Sequence, residues 1–283
     1  MGTVRIGISG WRYPPWRGVW YPKGLPQRRE LEYSSHRLGS VEINGTFYSL
    51  QRPEYFREWA AQVPEGFVFS VKGPRFVTHM KKLRDVETPV ANFFASGVLA
   101  LRAHLGPVLW QFPPNFGYDG NRLDDFLASL PRTTVAAGRV AKAHDERLDG
   151  RAYTGPVVRQ PLQHAVEFRH ESFKDHLDVF ARHDVAVVVA DTAGKWPLVL
   201  EQTSSSLAYV RLHGDVELYT SGYTDAALAT WAERVAGWRD SGRDVVVYFD
   251  NDVKVHAPYD AEKLAALVGA TPPWAPAEPD VRP

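Results

Sequence analysis

Eight stretches of the chain have the hydrophobic pattern of β-strands, their apolar residues either alternating with polar ones or running together unbroken. Residues 4–9 put Val4, Ile6 and Ile8 on one face. Residues 41–44 set Val41 and Ile43 against Glu42 and Asn44, and residues 67–72 set Phe67, Phe69 and Val71 against Val68, Ser70 and Lys72. Residues 107–112 form a fourth stretch. In the fifth, HAVEFRHE at 164–171, Val166 and Phe168 face one way while Ala165, Glu167 and Arg169 face the other. Residues 185–190 are nearly continuous valine and alanine, as suits a strand buried on both faces of a parallel sheet. Residues 207–212 and 245–249 complete the set.

Helical patterns separate most of these strands. A short one covers 30–38, and Pro53 starts another whose apolar face is Phe56, Trp59, Ala60 and Val63. Thr88 and Pro89 open a helix expected to run to about residue 105. Asn121 and Asp124 cap 122–130, while Ser172 and Asp175 begin a helix with Phe173, Leu177, Phe180 and Ala181 inward. Thr224 caps a helix to residue 240, ended by Gly242, and a last helix falls near 260–268. Val135, Ala136, Val140 and Ala143 fit one further helix, but 145–161 is turn-rich, so about 133–163 is expected as an excursion on the surface.

Alternating strands and helices predict a parallel sheet, and eight such units predict a single (β/α)8 TIM barrel over 1–270, followed by a Pro-rich tail at 271–283. An open doubly wound sheet fits less well. Gly7 and Gly10 do not have the G-x-G-x-x-G spacing of a phosphate loop after the first strand, so no nucleotide cofactor is expected.

Composition narrows the chemistry. The chain has no cysteine, which removes disulfides, thiolate catalysis and Cys-ligated metals. Lys plus Arg equals Asp plus Glu at 33 each, so there is no global attraction for nucleic acid or acidic membrane, and neither is an expected partner. MGTVRIGISG passes directly into a strand pattern without a basic start and apolar core, and no apolar run has membrane-spanning length; the expected location is the cytoplasm.

In a barrel the outward faces meet helices, so the polar faces point inward and the strand C-terminal ends carry the site. Applied strand by strand, that rule gives an inward set of Ser9, Glu42, Asn44, Ser70, Lys72, Gln111, Glu167, Arg169, Asp191, Tyr209, Arg211, His213, Tyr248 and Asp250. Either these groups pair among themselves and close the barrel, or they serve a ligand. Pairing alone is a weak reason for so many, since desolvation offsets the attraction within a buried ion pair. Glu42, Glu167, Asp191 and His213 are the candidates for acid–base catalysis. Lys72, Arg169 and Arg211 favour an anionic group, with Asn44, Gln111, Tyr248 and Asp250 as further ligand contacts. The loop after the first strand holds Trp11, Trp16 and Trp20, which either plug the barrel end or offer a flat face to a ring; Trp11 is the candidate platform. His79, His170 and His213 are candidate hydrogen-bonding groups. Their spacing is not that of a metal motif, so a divalent ion has no support and no ligands are assigned.

The segments IGISGW (6–11), VEINGTFY (41–48), WAAQVPEGFVFSVK (59–72), LGPVLWQFPP (105–114), AVEFRHESF (165–173) and YVRLHG (209–214) together resemble the YecE-like family, also called domain of unknown function 72. The resemblance runs from first strand to last and implies a TIM-barrel fold, without supplying a reaction. The chain departs from the resemblance in its inserted 133–163 and in Gly45, where many relatives carry serine. Three functions stay open: an enzyme on a small sugar-like or anionic substrate, a metal-dependent enzyme on phosphodiesters, and a metabolite-binding module without catalysis.

Overall fold

The structure, a computed structural model, describes residues 1–153 and 155–275. The tail expected at 271–283 therefore lies outside the described residues from 276 onward. Nine parallel strands form one sheet: β1 (Val4–Ser9), β2 (Ser40–Ile43), β3 (Val68–Lys72), β4 (Leu105–Gln111), β5 (His164–Glu167), β6 (Ala186–Val187), β7 (Val189–Asp191), β8 (Leu207–Leu212) and β9 (Asp244–Phe249). Their order is β6-β5-β4-β3-β2-β1-β9-β8-β7. The two ends of that order, β6 and β7, are separated in the chain only by Val188, so the sheet is a nearly closed barrel.

The count of eight strands is thus corrected to nine. The expected strand at 185–190 is divided because its lower part pairs with β5 and its upper part with β8, while the Val188 N–H still donates to Val166 O at 2.9 Å. An unbroken valine run carries no mark of where pairing changes sides.

The helices are α1 (Glu30–Ser35), α2 (Gly45–Tyr48), α3 (Pro53–Gln62), α4 (Glu87–Ala95), α5 (Gly120–Ser129), α6 (Thr134–Ala141), α7 (Leu177–Arg182), α8 (Asp225–Asp240) and α9 (His256–Leu267). The helix expected over 88–105 stops early. Gly97 takes a φ of 120° and a Cβ there would lie 2.6 Å from Pro53 Cα, so the chain turns against α3 and continues as the 3-10 segment Val98–His104. Within 133–163, Thr133 caps α6, and Thr134 Oγ1 donates to Val158 O at 2.6 Å, tying that segment to itself. Among the described residues no helix is long and apolar enough to cross a membrane.

Apolar side chains fill two separate spaces. The larger lies between barrel, helices and loops, and it takes in Trp16, Trp20 and Tyr21, so most of the aromatic loop plugs the core. The smaller lies inside the barrel and includes Leu109, Ala165, Val188, Leu207, Tyr209, Val246 and Tyr248. Toward the strand C-termini the interior becomes polar, with Ser9, Glu42, Gln111, Glu167 and Arg211 all 4% exposed or less. The change from apolar floor to charged mouth falls within one turn of the pleat.

Candidate functional site

Arg211, on β8, is the hub of the mouth. Its Nη1 donates to Glu167 Oε2 at 2.6 Å, its Nε to Glu42 Oε2 at 3.2 Å, and its Nη2 to Glu42 Oε1 at 3.0 Å and Asp250 Oδ2 at 2.9 Å. Every guanidinium nitrogen is engaged. Glu42 also accepts from Ser9 Oγ and from Tyr209 Oη, both at 2.6 Å, and Gln111 Nε2 donates to Glu167 Oε1 at 2.8 Å. The place a cation would take between Glu42, Glu167 and Asp250 is filled by the guanidinium. Among the described residues no group of three or more His, Asp or Glu is otherwise arranged to hold a metal ion.

A second set of groups lies on the open side of this network. Arg169, just past β5, donates through Nε to Glu167 Oε1 at 2.9 Å and through Nη2 to Tyr219 Oη at 3.4 Å, and its guanidinium carbon lies over Trp196, 3.7 Å from its ring centre. Its side chain is 14% exposed, against 1% for Arg211. Lys72 ends β3 with its ammonium 4.5 Å from the centre of the Phe47 ring, and His79 meets the edge of the same ring. Asn44 donates to Ser9 Oγ at 2.9 Å, while its Oδ1 is left without a partner.

Electrostatics sort these groups. For Glu167, burial alone favours the neutral acid, but Arg211, Arg169, His213 and Lys72 outweigh it and hold the pKa well below the usual range. Asp250 is subject to the same contest between burial and Arg211, supported by His213 and Lys72, and settles at about 2. Burial, then Arg211, brings Lys72 down to about 8. Burial, with Lys72, Arg169 and Arg75, brings His79 down to about 4, so its ring is neutral at pH 7. Asp191 is raised, chiefly by burial, although Tyr223 Oη donates to it. His213 Nδ1 is 3.0 Å from Asp250 Oδ2 but off the line of a hydrogen bond, and that nitrogen has no hydrogen-bond partner.

Several expected contacts lie elsewhere. Tyr248 faces inward as expected but one layer too deep: its hydroxyl contacts Ser40 Oγ and Ser70 Oγ at 2.6 Å, and it is fully buried. His170 caps the turn Glu171–His176 through Ser172. Trp11 is 6% exposed and packs edge-on against Trp59, yet with Tyr13, Asn44 and Gln51 it lines a pocket of ≈ 290 Å³ beside the mouth. A further pocket of ≈ 420 Å³ is lined by Phe47, Tyr48, Pro74, Phe76 and Met80.

Two residues were missed from sequence. Trp196 sits in the loop after β7, and nothing in DTAGKW names Arg169 as its partner. Asp252 follows β9, and burial and then the nearby Asp250 raise it to about 6. The Asp-Asn-Asp run at 250–252 was its available signal.

Comparison with known sequences agrees with this architecture. The model of the family described as "Protein of unknown function DUF72" matches residues 5–282. The chain belongs to the DUF72 family. It is 31% identical to the UPF0759 protein YecE of Escherichia coli K12 over 129 residues, 45% of this chain and 44% of YecE, so the match spans less than half of YecE's length. It is 23% identical to the UPF0759 protein YunF of Bacillus subtilis over 295 residues, covering 94% of each. Among solved structures, a DUF72 family protein from Thermotoga maritima superposes with a TM-score of 0.73 at 24% identity, over 94% of this chain and 99% of that one. One from Enterococcus faecalis gives 0.73 at 18% identity, over 98% and 99%. These likenesses establish the DUF72 fold for the barrel.

Proposed function

We propose that this DUF72 protein is an enzyme acting on a small anionic, sugar-like molecule at the C-terminal mouth of an eight-stave (β/α)8 barrel, with β6 and β7 forming one stave. The observation that carries the reading is the contrast between the two arginines. Arg211 has every nitrogen occupied by residues of the fold, whereas Arg169, over Trp196 and joined to Glu167 through Nε and to Tyr219 through Nη2, keeps its Nη1 without a hydrogen bond among the described residues and its side chain 14% exposed. A planar guanidinium fixed on an aromatic face is suited to a carboxylate or phosphate.

In this reading Glu42 and Glu167 are positioning residues, since their oxygens are committed to Arg211, Arg169, Tyr209 and Gln111. Proton transfer falls to groups brought close to neutrality, Asp252 at about 6 and Lys72 at about 8, with Asp250 and His213 beside them and Asp191 at the rim. Asn44 and the pocket beside Trp11 offer polar and aromatic contacts to a ring.

The test is a panel of phosphorylated sugars and hydroxy or oxo acids incubated with the protein and followed by proton NMR. Conversion of one compound, lost in Asp252→Asn and weakened through KM in Arg169→Met, is the expected result. A compound that binds and is returned unchanged at stoichiometric protein contradicts the enzyme and leaves a binding module.

A further inference from the structure

We propose that Lys72 is a nucleophile whose Nζ condenses with the carbonyl carbon of a small anionic aldehyde or ketone held at the mouth. The inference rests on the reading of the mouth as an anion-binding enzyme site and narrows its substrate class.

Isolation of the amine is the first ground. Lys72 is 8% exposed and ends a barrel strand, where a charge is normally paired. The nearby carboxylates are already committed: Glu42, Glu167 and Asp250 to Arg211, and Glu167 also to Arg169. Among the described residues the Lys72 ammonium has no ion pair and no hydrogen bond, and it lies over the face of Phe47. A lysine whose role was to close the network would sit on a carboxylate, as Arg211 does.

Rigidity is the second ground. Thr46 Oγ1 donates to the Lys72 carbonyl at 2.6 Å, and the Gly73 N–H donates to Leu109 O at 2.7 Å. Gly73 carries no side chain where a Cβ would come within 2.4 Å of the Trp110 ring, so the backbone at Lys72 is clamped between α2, β4 and that indole. The amine is therefore presented by a fixed strand end rather than a mobile loop.

The chemistry follows from these surroundings. Burial, then the Arg211 charge, lowers the amine to about 8. At pH 7 about a tenth of it is neutral, against about one in three thousand for an exposed lysine. The nitrogen lone pair attacks the carbonyl carbon, the C=O electron pair moves to oxygen, and the proton lost by nitrogen passes to that oxygen. Loss of water from this carbinolamine leaves the imine, so amine plus carbonyl compound gives imine plus water. Arg169 holds the substrate's anionic group.

The full-length protein incubated at neutral pH with glyoxylate, and separately with acetaldehyde, is reduced with cyanoborohydride, which delivers hydride to any imine. Intact mass and peptide mapping locate the products. The expected result is one adduct, at Lys72, forming at least about tenfold faster than at any exposed lysine. Lys72→Arg, which keeps the charge and length, loses it. The preference for glyoxylate over acetaldehyde falls in Arg169→Met. Adducts spread over exposed lysines with Lys72 unmodified overturn the proposal. An adduct at Lys72 with the same preference in Arg169→Met supports the imine while removing the anion site.

Discussion

Arg211 and Glu167 meet at 2.6 Å with each side chain 1% exposed, one an interior residue of β8 and the other the last residue of β5. The pair spans the stave made by β6 and β7 rather than linking neighbours, because β5 pairs with β6 and β8 with β7. Through Glu42 and Asp250 the same guanidinium also reaches β2 and the residue after β9.

Removing the guanidinium should therefore be costly. Arg211→Met leaves three carboxylates facing each other in the interior, and loss of one partner of a buried pair typically destabilises by about 3–5 kcal/mol. The expected outcome is a large fall in the midpoint of urea unfolding. A midpoint within a few tenths of wild type would show that the network contributes little.

Lys72 should behave in the opposite way. Its folded pKa of about 8 lies below the ordinary 10.5, so between those values the unfolded chain binds more protons and stability rises with pH. The favourable contribution is complete only above about 10.5 and is lost as pH falls through 8; at neutral pH the charged amine is a burden on the fold. Lys72→Met is expected to raise stability at pH 7 by about 1–3 kcal/mol. A substitution that stabilises the fold and removes imine trapping marks a residue kept for function; clear destabilisation would make Lys72 structural.

Acid stability divides among the carboxylates. Asp250 is held at about 2 against an ordinary 3.8, and Glu167 is also lowered, so both contribute fully above their unfolded values and lose that contribution as pH falls toward 2. Asp252 has the reverse sign: raised to about 6, its contribution is present below 3.8 and is lost as pH rises through 6. Unfolding midpoints measured from pH 2 to 7 should rise steeply at the acid end. In Asp252→Asn the opposing decline between about pH 4 and 6 should disappear, and an unchanged profile would contradict the assigned shift.

Much of the barrel could be read from alternation, because outward apolar residues and inward polar ones recur with period two on β1, β2, β3 and β5. Period two gives the face of a residue but not its depth, so the pattern offers Tyr248 to the mouth when it belongs to the floor. Residues 185–190 carry no polar marker, so the division at Val188 was invisible. The ring of Glu42, Glu167, Arg211 and Asp250 was legible as a set. Which arginine was fully engaged and which kept one nitrogen open was not, since that depends on partners such as Trp196 and Tyr219 brought in from distant loops.

The account turns on Arg169 keeping its Nη1 open while Arg211 is closed. Titration calorimetry of the wild type and Arg169→Met with a sugar phosphate and its unphosphorylated parent tests this most directly. The expected result is phosphate-dependent binding that weakens about tenfold or more, at least about 1.4 kcal/mol, in Arg169→Met, while the neutral sugar binds both proteins alike. Equal affinity of the phosphorylated sugar for both proteins would contradict the account.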